Sequence, residues 1–69
     1  MSAYETTTSV ICAATRGMRD ARMEFDAATS RGEYHRAQDA ANEMATFACA
    51  LGQAARELET YFAELRGAA

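Results

Sequence analysis

Residues 34–58 read YHRAQDAANEMATFACALGQAAREL, and the spacing of their apolar and small positions decides the fold. Tyr34, Ala37, Ala41, Met44, Ala48, Leu51, Ala55 and Leu58 recur at alternating intervals of three and four. This is the periodicity of a helix that buries one face against another helix. Residues 4–28 repeat it with Tyr4, Thr7, Ile11, Ala14, Met18, Ala21, Phe25 and Ala28. If the chain folds back at Arg31, position i meets position 62 − i. Bulky layers (Tyr4–Leu58, Ile11–Leu51, Met18–Met44) then alternate with small ones (Thr7–Ala55, Ala14–Ala48, Ala21–Ala41). Small layers let helix axes approach, and large side chains fill the space between them. The sequence therefore predicts an all-α antiparallel helical hairpin.

The remaining signals agree. Ala fills 17 of 69 positions, proline is absent, and no alternating strand pattern occurs; Ala is the strongest helix former. The spacing predicts one domain over residues 1–69, with a helix over about 3–29, a turn over about 29–33 and a helix over about 33–66. Ser2 and Glu5 have the spacing of a capping box at the first helix start. At the turn, Ser30 with Glu33 repeats that spacing, while Gly32 suits the left-handed position after a helix C-terminus. The sequence allows either. Gly67 is placed to end the second helix. In plan this is similar to small plasmid-encoded helical hairpins that regulate RNA pairing, a likeness of architecture without a residue-by-residue match.

The second helix carries more apolar surface than one hairpin can enclose. Ala40, Phe47, Ala54 and Tyr61 recur every seven residues beside the predicted seam, and Ala3, Val10 and Gly17 form the matching flank of the first helix. Gly17 is expected opposite Phe47, where a missing side chain leaves room for the ring. Phe62 and Leu65 are expected to extend past the start of the first helix. A chain of 69 residues is near the lower limit for a self-sufficient core. Its two cysteines are too few for a disulfide scaffold and match no zinc spacing. Oligomerisation is the remaining staple, so the expectation is a homodimeric four-helix bundle with an interface of Val10, Gly17, Phe47, Ala54, Tyr61, Phe62 and Leu65. The competing occupant of that face is another protein.

Chemistry is sparse. His35, Asp39 and Glu43 lie at i, i+4 and i+8, but the Glu-x-x-His pairs of diiron bundles are missing. No metal or cofactor is expected. Cys12 and Cys49 lack the neighbours of a nucleophile, glycines are isolated rather than grouped in a phosphate-binding loop, and no enzyme activity is expected. Arg16, Arg19 and Arg22 line one helix face. Within residues 16–36, five arginines are set against four acidic residues, leaving +1, with no interleaved aromatics to stack on bases. Arg16–Asp20 and Arg22–Asp26 are spaced for ion pairs. The net charge of −3 opposes general affinity for nucleic acid or anionic membrane.

No leader pattern or apolar run of ~20 residues is present, so a reducing cytoplasmic setting without membrane insertion is expected. The leading functional expectation is a non-catalytic protein-interaction module: an adaptor, regulator or small inhibitor acting by occlusion or bridging. A phage or mobile-element origin would suit such a chain. The alternatives are a small dimeric RNA- or DNA-binding regulator using the arginine face, and a metal-binding helical bundle.

Overall fold

The computed structural model describes residues 3–68 and contains two helices, α1 (Ala3–Ser30) and α2 (Tyr34–Ala68), packed along each other as a hairpin. The predicted Ser2 half of the capping box lies outside the described residues. The rod measures 55 × 18 × 12 Å, two helices wide and one thick. Its radius of gyration is 16.0 Å, against about 11 Å for a compact chain of this length. Gly67 does not end α2, which stays helical through Ala68. An exposed glycine weakens a helix end without forcing a stop.

The turn resolves the open alternative in favour of Gly32. Its φ is +71°, a conformation that suits glycine because it has no Cβ. The Gly32 N–H donates to the Thr29 carbonyl at 3.1 Å, and the Glu33 N–H donates to the Ala28 carbonyl at 2.9 Å. These two bonds are the Schellman motif, which satisfies carbonyls that the helix end leaves unpaired. The Glu33 carbonyl then accepts from the Ala37 N–H at 3.0 Å and starts α2. Ser30 is the last residue of α1, not the cap of α2.

This turn shifts the register. Cross-helix neighbours include Thr7 with Glu57, Gly17 with Phe47, and Tyr4 with Tyr61, so position i faces about position 65 − i rather than 62 − i. A three-residue slide rotates the facing side of α2 by about 60°. The row Tyr34, Ala41, Ala48 and Ala55, predicted to lie in the seam, is exposed, and Tyr34 is 73% accessible. In its place Ala40 and Ala54 are buried, and Phe47 and Tyr61 are half-buried. The other predicted row of α2 keeps its place, with Ala37 buried and Met44, Leu51 and Leu58 half-buried. The α1 half of the seam is as expected from Thr7 onward: Thr7, Ala14, Ala21 and Ala28 are buried, and Ile11, Met18 and Phe25 are half-buried, whereas Tyr4 at the open end is 39% accessible.

Packing explains the preference. Away from the turn the predicted register set large residues against large ones and small against small, while beside the turn it set Phe25 against Ala37 and Ala28 against Tyr34. The observed register sets Ile11 near Ala54, Ala14 near Leu51, Ala21 near Met44 and Phe25 near Ala40. Large against small keeps the interaxial spacing even and avoids voids at the alanine layers. Met18 near Phe47 and Tyr4 near Tyr61 still set large against large, and at Phe47 the neighbouring Gly17 gives way. A Cβ built on Gly17 would lie 2.5 Å from the Phe47 ring, so the ring occupies the space that any side chain would need. The expected Gly17–Phe47 contact is present.

Polar and aromatic contacts pin the two ends. The Thr7 hydroxyl donates to Glu57 Oε2 at 3.0 Å, which satisfies the one buried polar side chain among the described residues. Tyr4, Tyr61 and Phe62 form an aromatic cluster, with ring centroids 5.2 to 6.1 Å apart. Phe62 therefore touches the start of α1 instead of extending past it, because the register shift draws it back. Leu65 does lie beyond this cluster and is 50% accessible.

Candidate interaction surfaces

The seam is narrow and built from small residues. Among the described residues the buried set is six alanines and Thr7, and no large side chain is fully enclosed. An alanine methyl contributes only about 0.8 kcal/mol on burial. Every larger seam residue keeps part of its surface in water. The two long sides of the hairpin differ in how that surface is finished.

One side carries Val10, Gly17 and Glu24 from α1 and Arg36, Glu43, Ala50 and Glu57 from α2. It is latched by polar contacts: Thr7 to Glu57, and Arg36 Nη2 to Glu24 Oε1 at 3.3 Å. Arg36 Nη1 also bonds Glu33 at 3.2 Å, and Arg31 approaches Glu33 at 3.6 Å. Glu24, Arg36, Asp39, Ala40 and Glu43 line a shallow open groove here. These charges are exposed, so each pair is worth at most about 1 kcal/mol.

Among the described residues the other side has no such latch. From α2 it presents Tyr34, Ala41, Ala48, Ala55 and Phe62, one residue every seven and all exposed. Next to this row lie exposed Ala45 and Gly52, and the uncovered edges of Met44, Leu51 and Leu58. The corresponding α1 row is polar: Thr8, Thr15, Arg22 and Thr29. The continuous exposed apolar row on this side therefore belongs to α2, whereas α1 exposes large apolar side chains singly, as at Val10 and Met23.

The residues named as an interface from sequence divide accordingly. Ala54 is buried inside the hairpin, Gly17 and Phe47 pack on each other, and Tyr61 stacks on Tyr4. Val10 (42% accessible) sits on the latched side, while Phe62 and Leu65 remain about half accessible at the α2 end. Sequence spacing places the outer row in the seam, because three heptad rows of α2 are apolar and spacing alone does not say which two face inward. The signal that could have found it was Gly17: taking Phe47 as a seam residue opposite Gly17 leads to the observed register.

Arg22 forms the expected pair with Asp26, Nε to Oδ1 at 3.3 Å. Arg16 and Asp20, equally exposed and at the same spacing, form no ion pair with each other among the described residues. Arg16 and Arg19 line a shallow apolar groove with Ile11, Cys12 and Thr15. Cys12 and Cys49 are free and exposed. His35, Asp39 and Glu43 do not come together as a ligand set, and no group of three metal-binding side chains occurs among the described residues. No helix is long and apolar enough to cross a membrane. In comparisons with family models, curated proteins and solved structures, nothing matches this chain.

Proposed function

We propose that this chain is a non-catalytic protein-interaction module that works as a self-paired four-helix bundle. The observation that carries this reading is the exposed apolar row of α2 running from Tyr34 to Phe62 beside a seam that fully buries only small residues. A monomer gains little from such a seam, and it leaves a helix-length apolar stripe in water. Stripes of that kind serve association between helices. Once paired, the bundle offers rigid outer faces to another protein, among them the arginine face of α1, where Arg16 and Arg19 flank a shallow apolar groove and Arg22 lies one turn further along. The bundle would then act as an adaptor or inhibitor, by bridging or by occluding a surface.

Light scattering across a concentration series, with circular dichroism on the same samples, tests the reading. The expected result is a dimeric mass and a melting temperature that rises with concentration, since association stabilises the folded state by mass action. A monomeric mass at all concentrations, with full helicity and a fixed melting temperature, would overturn it.

A further inference from the structure

Gly17 and Gly52 are both helix-interior glycines, and their surroundings differ. Gly17 makes room for the Phe47 ring, whereas a Cβ on Gly52 would meet nothing within 4 Å. An interior glycine weakens a helix relative to alanine, and nothing within the hairpin uses the space that Gly52 leaves. Gly52 lies midway along α2 on the outer stripe, between Ala48 and Ala55. We infer that this stripe docks a second copy of the chain, with α2 running antiparallel to α2 of the partner across a two-fold axis beside Gly52.

Three observations fix the occupant and its orientation. The first is the opening itself: a missing Cβ on an exposed helix face admits another backbone, as Gly17 admits a ring. The second is self-complementarity. The outer stripe repeats at intervals of three and four through Ala41, Ala45, Ala48, Gly52 and Ala55, which is a seam pattern in its own right. In an antiparallel contact each position i meets about position 100 − i of the second copy, and the small residues then coincide: Ala48 with Gly52, and Ala45 with Ala55. The flanks coincide as well. The half-buried edge of Leu51 meets its own counterpart, and Met44 meets Leu58, so the residues left partly wet by one hairpin complete a shared core. Cys49 also lies next to its own counterpart at the axis.

The third observation is area. The chain exposes 5281 Å², whereas a compact monomer of 7.5 kDa exposes about 4,250 Å². The excess is close to the roughly 800 Å² that each partner of a standard interface buries. The latched side of the hairpin is closed by charged and hydrogen-bonded groups, and the α1 row on the open side is polar, so the surface to be covered is that of α2.

This inference rests on the self-paired reading above, and thiol cross-linking separates the two. Cys12→Ser and Cys49→Ser variants, each checked for helicity and mass, are treated with a short bis-maleimide at a concentration where the wild type is dimeric. The expected result is efficient covalent dimer from Cys12→Ser, through Cys49, and none from Cys49→Ser. A dimeric mass with no cross-link from Cys12→Ser, or with a cross-link through Cys12 alone, would overturn the α2–α2 contact and leave the self-paired reading standing. A monomeric mass would overturn both. Gly52→Leu is the second measurement: it should disperse the dimer at least tenfold more readily on dilution while keeping the hairpin helical, and an undiminished dimer would overturn the inference.

Discussion

The inner seam and the outer stripe of α2 have nearly the same composition, and they do different things. Both carry alanine and aromatic residues at heptad spacing, and the outer stripe also holds Gly52, where a Cβ would meet nothing within 4 Å. The inner rows are covered by α1, down to 2–3% accessibility at Ala40 and Ala54. The outer row, from Tyr34 through Ala41, Ala48 and Ala55 to Phe62, faces water. The difference follows from the turn, because the Gly32 Schellman motif sets the register and the register chooses the inward face. A glycine four residues past Ala28, the last buried position of α1, thus decides which third of α2 stays exposed.

Placing the same substitution on each side is the severest way to test this contrast. Ala54→Glu buries a carboxylate in the seam with no cation to meet it, and should cost at least about 3 kcal/mol and unfold the hairpin. Ala48→Glu puts the same group on the outer stripe. It should leave the hairpin helical, lower the mass to that of a monomer and remove the concentration dependence of melting. Circular dichroism and light scattering read both outcomes, and equal unfolding by the two variants would erase the distinction between the rows.

The next largest effect is at Phe47, where truncation to Ala removes the one large ring inserted between α1 and α2 near the middle of the rod. Because the ring is only half-buried, a loss of about 2 kcal/mol is expected in thermal unfolding. Smaller and opposite effects are expected at the glycines. An interior Gly→Ala change favours a helix by about 1 kcal/mol when space permits. Gly17→Ala should forfeit that gain, since the new methyl meets the Phe47 ring, and Phe47→Ala should restore it in the double variant. A Gly17→Ala protein that melts higher than wild type would show that the ring yields freely. The smallest effect is at the latch: Thr7→Val keeps the shape but loses the bond to Glu57, for about 1 kcal/mol.

The sequence carried the hairpin, the α1 half of the seam and half of the α2 half, because period and alanine content are local properties. The pairing of Gly17 with Phe47 was also legible, since a glycine beside a row of small residues has few other uses. The register was not. Three rows of α2 are apolar, a slide of three residues exchanges one for another, and heptad spacing is unchanged by that exchange. The deciding bonds lie in the turn, where Ser30 and Gly32 offered two cap geometries with similar sequence signatures. The exposed row was consequently read as core, and the residues read as interface, Phe47, Ala54 and Tyr61 among them, pack inside the hairpin. The acidic and basic residues gave a partial reading: Arg22–Asp26 formed at helical spacing, whereas Arg36–Glu24 depends on a cross-helix register that spacing within one helix does not encode.

Whether two copies meet on the outer stripe of α2 is decided by light scattering of wild type and Gly52→Leu side by side over one dilution series. The expected result is a dimer for wild type and a helical monomer for Gly52→Leu, because a Cβ at Gly52 meets nothing of the hairpin within 4 Å while the leucine side chain would collide with the second copy. Wild-type and variant chains of the same mass at every concentration would contradict it.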